Sequence, residues 1–164
     1  MTVVEEFTEV FRTEHRGVRD LLLNLVEAFQ KRDPVRAREL LAAVDSATGP
    51  HFRYEEEAMY PRLVDIFGDE YVDKLLTDHD GAIRNVRQLY EIVDQDQLNA
   101  AHAERGVGLT RQILPHVSDC DGLSIMVETL PDETVDDILG ARRKARDAGL
   151  DLLTWAATAR DRDV

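Results

Sequence analysis

Cysteine is almost missing from this sequence. A single one, Cys120, stands among 164 residues, so no internal disulfide framework forms and no multi-cysteine zinc or iron–sulfur site is built from this chain alone. Reducing surroundings suit such a chain. Long apolar runs are missing too: no uncharged stretch approaches the ~18 residues of a membrane span. The opening MTVVEEFTEVFRTEH carries acids where a secretory leader has a basic segment and an apolar core. The expected compartment is the cytoplasm, with no membrane partner. Basic charge is also short, since 20 Lys and Arg face 33 Asp and Glu for a formal net charge of -13. That field repels phosphate backbones and anionic lipid, which removes nucleic acid from the expected partners. No β-rich stretch, fixed-period repeat, low-complexity linker, Gly-rich phosphate loop or nucleophile elbow occurs.

What is there is helical periodicity. With 43% hydrophobic residues the chain is long enough to bury a core of its own. From residue 4 to 29, Val4, Thr8, Phe11, His15, Val18, Leu22, Leu25 and Phe29 alternate steps of three and four, the spacing of one helix face. After Asp33-Pro34, a capping residue followed by a proline suited to the first turn, a second stripe runs Ala37, Leu41, Val44, Thr48, His51, Glu55, Ala58 and ends near Tyr60-Pro61. Pro50 removes the hydrogen bond to the Ser46 carbonyl and predicts a kink one residue before His51. A third helix opens near Gly68-Asp69 with Val72, Leu76, His79, Ile83, Val86, Tyr90 and Val93 on one side. The fourth, from about Asp96 to Val127, turns Leu98, His102, Leu109, Ile113, His116, Cys120, Leu123 and Val127 inward. The remainder reads as an amphipathic helix through about Ala148, a Gly149 stop and a short segment bearing Leu150, Leu153 and Trp155.

The pattern predicts an all-α fold: an up-and-down four-helix bundle over 1–130, with a C-terminal helical extension over 131–164 packed on it and carrying no ligands. Four of the five histidines, His15, His51, His79 and His116, each fall mid-stripe on a different helix, where a plain core has Leu or Ile. Converging imidazoles inside a bundle are how such a fold holds a transition metal. Glu55 follows His51 by four residues, on the same face. A buried carboxylate beside imidazoles calls for a cation. A lone histidine on an apolar face is ordinarily a hydrogen-bonded core residue; four in register, with Glu55, point to a site. His102 stands fourteen residues from His116, roughly 21 Å along a helix axis, and is read as structural.

These residues carry a family resemblance. His15 in TEHRGVRDLL, the block HFRYEEEAMYPRL, His79 in TDHDGAI and His116 in LPHVSDCDGL resemble the hemerythrin family and its His-His-Glu cation-binding domains over roughly residues 7 to 127. The resemblance implies a non-haem di-iron centre, about two irons per chain, with one iron or another divalent metal as the alternative content. His15, His51, Glu55, His79 and His116 match the family's ligand positions. The family also places a carboxylate four or five residues after the last histidine, where this chain has Cys120 and Asp121. Helix geometry favours Cys120, about 40° round from His116, over Asp121 at about 140°. The family pattern points instead to Asp121 as the second bridging carboxylate, and Cys120 is then a small apolar core residue or a soft thiolate ligand.

Helix three departs as well, because Leu75 and Ile83 stand where oxygen carriers of the family have a further histidine one turn from His79. An open metal position is where dioxygen, peroxide or another small molecule binds. The implied function is binding, sensing or handling of oxygen, peroxide or iron, with a di-iron enzyme or a metal-free interaction module as alternatives. Glu14 and Asp78 are the carboxylates expected to orient imidazole N–H groups. Glu56 and Glu57 are read as a solvated face, and Tyr54 and Tyr60 as packing residues.

Overall fold

The computed structural model describes residues 1–164, and every regular element in it is a helix. The first, α1 (Val3–Gln30), starts at a capping box in which Thr2 Oγ1 accepts from the Glu5 amide at 3.1 Å and Glu5 Oε2 accepts from the Thr2 amide at 2.7 Å. α2 (Pro34–Tyr54) opens on Asp33, whose side chain accepts from the Arg36 amide, with Pro34 in the first turn. It runs unbroken through Pro50.

The chain does not stop at Tyr60-Pro61. A π-helical turn, Glu55–Met59, joins α2 to α3 (Tyr60–Phe67), and Gly68 ends that path with φ 84°. The reason lies in Pro61: the Glu57 carbonyl finds no amide four residues on, and the Tyr60 amide bonds back five residues to Glu55. Widening the helix by one residue swings Tyr60 onto the face that carries Glu55. α4 (Asp69–Val93) follows at once.

The expected fourth helix is three pieces, α5 (Ala100–Arg111), α6 (Leu114–Asp121) and α7 (Ser124–Val127). Pro115 lacks the amide that the Arg111 carbonyl would need, and the chain tightens there to an i→i+3 bond from the Ile113 amide to the Thr110 carbonyl at 3.1 Å. Two more helices close the chain: α8 (Asp132–Ala148), stopped by Gly149 at φ 64°, and α9 (Leu152–Thr158), capped by Asp151. α1 packs along α2, α5 and α6, while α4 packs on α2 and α5. α8 lies against α1, α2 and the π turn, and α9 against α2 and α4.

Two apolar clusters fill the interior. One holds Val18, Leu22, Leu41, Phe52, Ile83, Val117 and Trp155; the other holds Phe7, Phe11, Tyr60, Leu75, Leu123 and Ile138. α1 passes from one to the other at His15, between Phe11 and Val18, and α4 does so at His79, between Leu75 and Ala82. The histidines therefore share one polar layer across the molecule.

Candidate metal centre

A buried Leu or Phe at each of these positions would contribute about 1.5–3 kcal/mol of apolar burial. The layer gives that up for His15, His51, His79, His116 and Glu55, all buried, with Glu55 wholly inaccessible. Glu55 is the hub. Its Oε1 lies 2.9 Å from His51 Nε2 and 3.7 Å from His15 Nε2, and its Oε2 lies 3.1 Å from His79 Nε2. The His15 and His51 Nε2 atoms stand 3.4 Å apart. Two ligand groups thus share one carboxylate, with His15, Glu55 and Cys120 on one side and Glu55, His79 and His116 on the other.

The other ring nitrogens are all engaged outward. His15 Nδ1 donates to the Phe11 carbonyl at 2.8 Å, His51 Nδ1 to Glu14 at 2.9 Å, His79 Nδ1 to Glu56 at 2.8 Å and His116 Nδ1 to Asp78 at 3.3 Å. Each acceptor can only accept, so every Nδ1 carries its proton and every Nε2 of a neutral ring aims a lone pair inward. That is the orientation metal-ligating histidines require. His116 Nε2 is buried with no hydrogen-bond partner at all. An imidazole nitrogen left bare in a polar layer fits a cation.

Glu14 and Asp78 do the orienting that the sequence assigned them, but crosswise: each precedes one histidine in the chain and serves a histidine of another helix. Glu56 is not a solvated residue. It is largely buried and receives both His79 and Arg160, whereas Glu57 stays exposed beside Arg53. Neither tyrosine is mere packing: the Tyr54 hydroxyl donates to Glu14 at 2.8 Å, and the Tyr60 hydroxyl lies 3.2 Å from Glu55, 3.1 Å from His79 Nε2 and 3.5 Å from Cys120 Sγ. His102 lies away from the layer, at the start of α5, in a capping box with Asn99.

Asp121 is the expected ligand that the structure does not bring in. α6 is regular between His116 and Cys120, so the angular argument prevails and Cys120 faces inward, 2.9 Å from Glu55 Oε1. Asp121 lies outside both ligand groups: its side chain borders an outer cavity with Thr8, Arg12 and Glu128, while its Oδ1 is buried without a hydrogen-bond partner.

Arginines from the C-terminal helices support the layer. Arg142 donates to Glu14 Oε1 at 2.7 Å, and Arg160, its side chain fully buried, reaches both Glu56 and Asp80 at 2.8 Å. No local pattern in the sequence marks them.

Burial alone would raise the Glu14 carboxyl, but His51, Arg142 and Tyr54 outweigh it and bring it down to about 2. Burial also opposes charge on His51, yet Glu55 and Glu14 push it up to about 10. His79 rises for the same reason, against Glu55 and Glu56. His116 is pushed down to about 4 by burial and by the charge on His79, and His15 falls through burial and His51. The buried carboxylates thus favour positive charge in the layer at His51 and His79.

An all-helical fold that buries a carboxylate among inward-facing imidazoles defines a helical cation-binding protein. The family model for the hemerythrin HHE cation binding domain matches residues 6–123, and the chain belongs to that family. No curated protein and no solved structure matches it. No helix is long and apolar enough to cross a membrane.

Proposed function

We propose that the chain is a non-haem iron protein that holds two irons in the polar layer and binds, senses or handles dioxygen, peroxide or iron. The sharing of Glu55 carries this reading: one carboxylate turns an oxygen toward each of two imidazole pairs, His15 with His51 and His79 with His116. The family membership supports iron as the ion. On this reading the four helical stretches of residues 1–130 form an up-and-down bundle, residues 131–164 pack on it, and the protein works in the cytoplasm.

Bound iron would supply an electrophilic, redox-active centre for a small oxygen species. The chain's own residues do the rest. Glu14, Glu56, Asp78 and the Phe11 carbonyl fix the imidazole tautomers. Phe52 stacks on His79 at 3.7 Å between ring centres and excludes water from that side. A cavity of ≈ 10 Å³ between His15, His51, Phe52 and His116 has room for about one water-sized guest. An outer groove of ≈ 620 Å³ beside Leu21, Ala47 and Pro50 leads to His51 and Tyr54.

Anaerobic iron loading, followed by metal analysis and the optical spectrum after oxidation, tests the reading. About two irons per chain with oxo-bridge absorption is the expected result. Negligible iron after loading refutes it. Peroxide turnover above that of free iron would add an enzymatic role.

A further inference from the structure

The two halves of the layer are not chemically alike. Around Glu55 Oε2 stand only nitrogen and oxygen donors, from His79, His116 and the Tyr60 hydroxyl. Around Glu55 Oε1 stand His15, His51 and the sulfur of Cys120, which is wholly buried. A buried free cysteine ordinarily packs its sulfur among apolar groups. Cys120 instead turns Sγ to a carboxylate oxygen at 2.9 Å and a tyrosine hydroxyl at 3.5 Å, within 4.8 Å of the His15 and Glu55 donor atoms. α6 sets this position, because it presents His116, with its partnerless Nε2, and Cys120 one turn apart on the same face.

We propose that Cys120 Sγ is a thiolate ligand of the cation held by His15, His51 and Glu55. This rests on the reading of the layer as a metal centre and adds that its two positions prefer different ions. Sulfur makes the first position favour zinc, cobalt(II) or iron(II) over manganese or magnesium, while the second offers nitrogen and oxygen alone. Binding is a proton exchange without redox change: the thiol proton that now bridges Sγ and Glu55 Oε1 leaves to solvent as the sulfur–metal bond forms.

Anaerobic titration with cobalt(II) chloride tests this on the full chain, beside Cys120→Ser and Cys120→Asp. The wild-type protein gains an intense near-ultraviolet sulfur-to-cobalt band that saturates at about one ion per chain. Both variants bind cobalt without that band, and Cys120→Asp gains affinity for manganese relative to cobalt. X-ray absorption of zinc-loaded wild-type protein needs no variant, and shows a sulfur neighbour at about 2.3 Å. Cobalt and zinc bound through nitrogen and oxygen only would overturn the proposal and leave the metal centre standing. Failure of cobalt, zinc and iron to bind at all would overturn both.

Discussion

Arg160 and Glu56, 104 residues apart in the chain, meet at 2.8 Å on the very carboxylate oxygen that accepts the His79 Nδ1 proton. A residue just beyond α9 thereby bears on the angle of an imidazole in the polar layer. Arg160→Ala removes the buried guanidinium that Glu56 and Asp80 share, while His79 still faces Glu56 and Arg162 still pairs with Asp80, so stability in urea falls by about 1–3 kcal/mol. Metal affinity, measured by competition with a chelator, falls about 10–100-fold. Unchanged affinity in a folded variant would show that His79 is oriented without this contact.

Loading the protein with iron raises its melting temperature, since the ion binds the folded chain alone. At a free concentration one hundred times Kd the increment is about 2.7 kcal/mol. His51→Ala and Glu55→Ala forfeit both the iron and the increment. Full metal content in either variant tells against the centre.

The metal-free protein has a defined stability window. His51 titrates at about 10 when folded against an ordinary 6.5, so its contribution is complete below 6.5 and is lost as pH rises to about 10. Glu14 works in the other direction: folded at about 2 against 4.5, it contributes above 4.5 and is lost as pH falls to about 2. His116, lowered to about 4, adds a further penalty as pH falls below 6.5. The melting temperature of metal-free protein peaks near pH 6.5, where Glu14 and His51 both contribute and the His116 penalty has not begun, and declines on both sides. Metal affinity moves oppositely above neutrality, rising toward pH 10 as the proton on His51 stops competing. A flat melting profile between pH 7 and 10 would contradict the His51 assignment.

Gly49 is where α2 meets the link between α8 and α9. A methyl group there would lie 2.7 Å from the Leu152 nitrogen and 2.5 Å from the Asp151 carbonyl carbon, backbone atoms that cannot turn aside. Gly49→Ala therefore costs about 1–3 kcal/mol in chemical denaturation, and its strain falls two residues from His51. Gly108→Ala, with open space around it, is the matched control.

The sequence carried the polar layer because a histidine in an apolar stripe is a local signal; the family pattern pointed to Asp121 as the helix-four ligand, whereas the helix angle turns Cys120 toward Glu55. Glu14 and Asp78 were legible as neighbours of histidines, though not the crossing by which each serves another helix. The π turn was hidden, since Tyr60-Pro61 reads equally well as an ending, and with it went the inward placement of Tyr60. Arg142 and Arg160 were out of reach of any periodicity argument. They lie far along the chain from Glu14 and Glu56, and only tertiary packing brings those charges together.

The polar layer parts the interior into two apolar bodies, each with its own aromatic and aliphatic filling. Parting the two bodies along that layer would uncover Glu55 and four imidazoles, groups that water can solvate, rather than further apolar surface. An ion held there would oppose that parting, because it binds the closed arrangement.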